Sequence, residues 1–157
     1  MSKIIVTGGC GYIGSHTVIA LIDQGYKVVV FDDFSNASED TLDRIAKITG
    51  ISPVFTRVDL KEKIKVLEAF NKHKDAKAVI HFAAYKAVKE SINNPLDYYE
   101  NNLFSLINVL NAQQAVGINN FIFSSSATVF GDNCQAEVTP QLPERRWRRL
   151  KAGQFRR

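Results

Sequence analysis

Residues that mark special chemistry are few in this chain. Its 157 residues include two cysteines, three histidines and one tryptophan. Cys10 and Cys134 fit no metal or redox spacing, so reduced, unpaired thiols are expected and no metal site is predicted. Long apolar runs are missing as well. The stretch ending at Phe31 falls far below the roughly 20 residues that cross a bilayer, so no membrane span is expected. No signal peptide is expected, because Met1 leads almost directly into Lys3-Ile-Ile-Val-Thr7, which reads as a strand. A cytoplasmic protein is the expectation. Internal repeats and low-complexity linkers are absent, and no tyrosine follows Tyr99.

What is present is ordinary in bulk and uneven in placement. Hydrophobic residues make up 45% and charged residues 23%, the balance of a globular domain, and the length suits one domain with one core. The net charge of +4 is confined to the end of the chain. Residues 144–157 hold seven of the 20 Lys/Arg and one of the 16 Asp/Glu, which leaves 13 basic against 15 acidic residues before them. The body is near neutral, so global charge does not argue for nucleic acid, and nucleic acid is not an expected partner.

Up to about residue 131, short apolar runs alternate with amphipathic stretches, the pattern of βαβ units on a parallel sheet. Strands are predicted over 3–7, 27–32, 54–58, 78–83 and 121–125. Each is nearly all apolar, as a sheet covered on both faces requires. Helices are predicted over 12–24, 39–49, 60–73 and 95–116. Gly25, Gly50 and Gly117 stand where helices should stop, and Asn94-Pro95 reads as a cap followed by a first-turn proline. After Gly131 the alternation fails. The fold class is therefore α/β, a doubly wound parallel sheet within residues 1–140, with 141–157 a basic tail outside the fold.

Directly after the first strand comes Gly8-Gly9-Cys10-Gly11-Tyr12-Ile13-Gly14, leading into a helix. A dinucleotide needs this order: a tight turn, backbone close to the pyrophosphate, and a helix N-terminus aimed at the anion. A plain structural turn also uses glycine, but strand before and helix after supply the context that binding requires. Asp32 ends the second strand 18 residues beyond Gly14. A carboxylate there accepts from ribose hydroxyls and repels a 2′-phosphate, which favours NAD over NADP. Asp59 closes the third strand at the same edge, as a ligand-facing group, as an N-cap for the next helix, or as both. His81, inside an apolar strand, reads as a satisfied core histidine.

Four blocks then carry a likeness: Thr7 to His16, His81-Phe82-Ala83-Ala84-Tyr85-Lys86-Ala87-Val88, Pro95 to Asn102, and Phe123-Ser124-Ser125-Ser126-Ala127-Thr128-Val129-Phe130-Gly131. Together they resemble the UDP-glucose 4-epimerase family of the extended short-chain dehydrogenase/reductases, over about residues 3–140. The resemblance implies a Rossmann-type fold with bound NAD, and interconversion of UDP-glucose and UDP-galactose through a 4-keto intermediate, often in a homodimer. By position it implies Gly8, Gly11, Tyr12, Ile13 and Gly14 at the pyrophosphate. Asp32, Asp33, Phe34, Ser35, Asn36 and Ala37 would lie around the adenosine ribose, with Asp59 and Leu60 beside the adenine. Phe82, Ala83, Ala84, Tyr85, Lys86 and Asn101 would lie along the cofactor. Ser126 matches the catalytic serine, which bonds the reacting sugar hydroxyl.

Two features of the family have no match. A Tyr-x-x-x-Lys pair follows the serine block there and supplies the base; here Trp147 stands four residues before Lys151. The C-terminal lobe that grips the UDP-sugar also has no counterpart, so the sheet is expected to be truncated before a substrate domain. Another nucleotide-sugar epimerase or dehydratase, or a non-catalytic dinucleotide-binding module, would share the same residues.

Overall fold

The computed structural model describes residues 1–125. The apolar runs form a parallel sheet of β1 (Lys3–Thr7), β2 (Lys27–Asp32), β3 (Val54–Arg57), β4 (Ala78–His81) and β5 (Asn120–Phe123). Its strand order is β3-β2-β1-β4-β5. Helices α1 (Tyr12–Asp23), α2 (Asp40–Thr49), α3 (Lys63–Lys72), α4 (Val88–Asn93), α5 (Pro95–Tyr99) and α6 (Ser105–Ala115) fill the connections. A π-helical turn, Glu100–Phe104, joins α5 to α6 with helical backbone at both ends.

The nearly continuous apolar strands are explained by a core on each face. Ile4, Val6, Val28 and Val30 pack with Val18, Ile22 and Ile45 of α1 and α2. Their alternates Ile5, Val29 and Phe31 pack with Val66, Phe70, Val109 and Ala112 of α3 and α6. Phe31 and Phe70 are fully buried and meet edge to face at 5.4 Å; burial of one such ring contributes about 2 kcal/mol. β1 lies in the middle, paired to β2 on one side and β4 on the other. The chain winds outward from β1 through β2 to β3, then crosses by α3 to β4. The connections that follow β1 and β4 lead to helices on opposite faces of the sheet, which opens a crevice at the switch in winding direction.

Boundaries differ from the sequence expectation where side chains redirect the backbone. The helix after β3 starts at Lys63 rather than at residue 60. Asp59 holds the intervening turn, its carbonyl accepting from Glu62 N–H and its Oδ1 from Lys61 N–H. It is not the cap of α3, whose N-cap is Glu62 without a side-chain bond. β4 ends at His81 instead of residue 83, and β5 spans Asn120–Phe123 rather than 121–125. Short helix α4 is an addition, stopped by Asn94-Pro95. Pro95 begins α5 as anticipated, although Asn94 makes no side-chain cap bond. Gly25, Gly50 and Gly117 all close helices at positive φ.

Candidate cofactor site

The crevice is made possible by missing side-chain atoms. Gly8 has φ +67°, and a Cβ on it would lie 2.6 Å from the Ala83 backbone nitrogen. The turn leaving β1 thus lies directly on the chain leaving β4. At Gly9 a Cβ would meet Val30 Cγ1 at 2.8 Å, and at Gly14 it would fall on the Gly8 carbonyl oxygen. Gly11 differs, since the nearest atom to its Cβ would be Gly8 O at an ordinary 3.4 Å. Packing therefore leaves room for a side chain at Gly11.

Gly11 is also the N-cap of α1, and no side chain caps that helix. The N–H groups of a helix's first turn have no intrahelical acceptor. Here they open onto the cleft with the helix's partial positive charge. Beside them, Asp32 Oδ2 accepts from Cys10 N–H at 2.9 Å and Oδ1 from Phe34 N–H at 2.9 Å. Burial raises the Asp32 pKa, and the two backbone donors pull against it by stabilising the charged form. Each carboxylate oxygen keeps capacity for a further donor. Cys10 is buried beside that carboxylate; burial, then the Asp32 charge, push its thiol up to about 12, so no thiolate nucleophile stands in the loop.

A cleft of about 400 Å³ runs along the C-terminal edge of the sheet. From β1 it is lined by Gly8, Gly11, Tyr12, Ile13 and Gly14, and from the loop after β2 by Asp32, Asp33, Ser35, Asn36 and Ala37. Asp59 and Leu60 line it from β3, Phe82 to Lys86 from β4, and Asn101 from the π turn. All described residues singled out from the sequence meet there except Phe34. That residue has φ 62°, and its ring packs on Phe55 at 4.9 Å with the Arg57 guanidinium above it. Phe34 serves the site through its N–H to Asp32. Ser126, the expected catalytic serine, lies outside the described residues, as do Cys134 and the tail.

His81 is 2% exposed, and its Nδ1 lies 2.7 Å from Thr7 Oγ1. Its ring stacks on Phe123 at 5.9 Å. Burial lowers its pKa to about 4, so it is a neutral, hydrogen-bonded core residue at the floor of the switch point, as its apolar strand implies.

Sequence reasoning passed over Phe31, Val58 and Ser105, which also line the cleft, and two asparagines behind it. Asn102 bonds both backbone groups of Tyr85, and Asn108 bonds the carbonyls of Leu60 and Lys61. The available signal was the recurrence of short polar residues at 101, 102, 105 and 108 within one helical run. Among the described residues no group of His, Cys, Asp and Glu could hold a metal ion, and no helix is long and apolar enough to cross a membrane.

Comparison with known proteins fits this geometry. A UDP-glucose 4-epimerase of Mus musculus is 49% identical over 138 residues, 84% of this chain and 40% of the mouse protein. One from Yersinia pestis is 45% identical over 140 residues, 89% of this chain and 41% of that protein. The crystal structure of a UDP-glucose-4-epimerase from Stenotrophomonas maltophila, with bound NAD and formylated UDP-arabinopyranose, superposes with TM-score 0.81 at 40% identity. That match covers 88% of this chain and 42% of the other. The chain thus spans about two fifths of the length of these relatives. The model of the NAD dependent epimerase/dehydratase family matches residues 4–148, and the chain belongs to that family.

Proposed function

We propose that this chain is the NAD-binding part of a nucleotide-sugar 4-epimerase, and that as it stands it holds NAD without turning over a UDP-sugar. The observation that carries the cofactor reading is the uncapped start of α1 inside the Gly8–Gly14 turn, with Asp32 fixed beside it. The pyrophosphate would rest on the N–H groups of Tyr12 and Ile13, where Gly11 leaves room. Asp32 would take the ribose hydroxyls on the capacity that Cys10 and Phe34 leave, and its charge disfavours a 2′-phosphate. Asp33 and the loop to Ala37 would flank that ribose, and Asp59 with Leu60 the adenine. Phe82 to Lys86 and Asn101 would line the other half, the Lys86 ammonium facing charged oxygens. Bound there, NAD supplies the hydride acceptor and donor for a sugar carbon.

The sugar side rests on likeness to the relatives, whose names give UDP-glucose as substrate. Ser126 would bond the reacting hydroxyl. No tyrosine follows Tyr99, so the chain lacks the phenol that family members place four residues before a lysine. Loss of a general base costs about 10² to 10⁴ in rate, and serine alone has no means of becoming an anion near neutral pH. The same absence favours a second reading, a non-catalytic dinucleotide-binding module. The exposed apolar face of α4 to α6, with Val88, Ile92, Leu96 and Leu103, supports self-association as a homodimer. The binding unit lies within residues 1–140, so removal of residues 144–157 should change neither thermal stability nor NAD affinity.

Titration of purified chain with NAD and NADP tests the cofactor reading. Tighter NAD binding, with the preference narrowed in Asp32→Ala, is expected; tighter NADP binding overturns it. A coupled epimerase assay tests the rest. Turnover that follows the purified chain and disappears in Ser126→Ala would show the chain to be an enzyme in its own right.

A further inference from the structure

The helical run from α5 to α6 touches both walls of the cleft. Asn101, Asn102, Ser105 and Asn108 all turn towards the cleft or the loops that wall it. Asn101 and Ser105 line the cleft. Asn102 reaches the wall after β4: its Oδ1 accepts from Tyr85 N–H at 2.8 Å and its Nδ2 donates to the Tyr85 carbonyl at 3.1 Å. Asn108 reaches the wall after β3, its Nδ2 donating to the Leu60 and Lys61 carbonyls at 2.9 and 3.0 Å. A carboxamide carries donor and acceptor together and so can pair with both backbone groups of one residue, as a neighbouring strand would. Neither loop has such a neighbour, because β3 and β4 have already ended. Asparagine is a poor helix former, and a buried one needs its partners, so helix stability alone does not account for these positions.

We propose that the α5–α6 run is a brace, in which Asn102 and Asn108 are positioning residues that hold the β4 and β3 walls at a fixed separation. They touch no cofactor; they keep the slot preformed, so that binding does not have to order two loops. The consequence for affinity rests on the reading that the cleft takes NAD. Asn101 is tied into the brace, since its Nδ2 donates to Asn102 Oδ1 at 3.1 Å.

Asn102→Leu and Asn108→Leu in the full chain keep side-chain size and remove the bonds, whereas Asn102→Asp keeps the acceptor for Tyr85 N–H and loses the donor. Residue-resolved amide hydrogen exchange should quicken at Tyr85 by roughly tenfold in Asn102→Leu, with Lys61 and Glu62 unchanged; Asn108→Leu should do the reverse. Asn102→Asp should leave Tyr85 exchange close to that of the unsubstituted chain. NAD affinity, measured well below each variant's unfolding temperature, should weaken roughly tenfold in each leucine variant. Unchanged NAD affinity in folded leucine variants, or Tyr85 exchange that ignores Asn102→Leu, overturns the proposal. If a leucine variant does not fold, Asn102→Ala and Asn108→Ala take its place, and unchanged NAD affinity or unchanged exchange at the suspended loop in the folded alanine variants overturns the brace. Failure of the unsubstituted chain to take up NAD overturns the cofactor reading instead, and the exchange pattern still judges the brace.

Discussion

The two walls of the cleft are built in opposite ways. On the β1–β2 side the wall is tightly packed main chain, Gly8 and Gly14 against backbone and Gly9 against the Val30 side chain, leaving no space for a methyl group, with Asp32 tied to two backbone N–H groups. On the β4 side the wall is an irregular loop held from behind, Tyr85 by the Asn102 amide and Ala87 N–H by the Tyr98 hydroxyl. Backbone packing gives a wall that accepts no added atom. Side-chain suspension gives one that can be loosened a bond at a time.

The largest expected effect falls on the packed wall. Gly8→Ala adds a Cβ within 3 Å of the Ala83 backbone at a positive φ and should destabilise the chain by about 4 kcal/mol, strain and overpacking combined. Urea unfolding measures this, and a loss under about 1 kcal/mol would mean that the two loops separate easily. Next comes the floor between the walls. His81 has its pKa lowered to about 4 by burial, so below the imidazole's ordinary value the unfolded chain takes up a proton that the folded chain refuses. Its contribution is complete above about pH 6.5 and is lost as pH falls towards 4, amounting to about 3 kcal/mol. Stability measured across that range should show a flatter slope in His81→Asn; an equal slope would assign the pH dependence to other groups.

Gly11→Ala sharpens the contrast inside the packed wall itself. With nothing nearer than 3.4 Å to its Cβ, stability should hold within about 0.5 kcal/mol, while calorimetric titration should find NAD binding weakened at least about tenfold. Equal binding would mean that no ligand approaches this glycine. Smallest is the outer surface of the suspended side. Leu96 is 78% exposed, and at concentrations low enough to keep the chain monomeric Leu96→Glu should change stability by less than about 0.5 kcal/mol. A larger loss would show that the face packs against something in solution.

Legibility in the sequence follows the same division. Strand cores, the glycine turn, the helix stops at Gly25, Gly50 and Gly117, and the place of Asp32 at the cleft edge were all readable, because each is dictated by φ, by side-chain alternation or by a nearby neighbour. Nearly all the site residues taken from the family likeness do converge on one cleft, with Phe34 facing elsewhere. The start of the helix after Asp59 was placed three residues early, since an Asx-type bond and a helix cap draw on the same residue types. Asn102 and Asn108 were missed because an asparagine in a helix gives no sign of which distant carbonyl it will meet.

By itself, then, the sequence determined the α/β alternation, the anion-ready start of α1 and the acidic end of β2, each set by interactions within a few residues. Tertiary structure decided the strand order β3-β2-β1-β4-β5, the neutral His81 beside Thr7 across 74 residues, and the suspension of Leu60 from Asn108 across 48. Such pairs depend on which faces share a dry core and on how the crossover through α3 brings β4 beside β1. Those are properties of the packed chain, and no local pattern of residues encodes them.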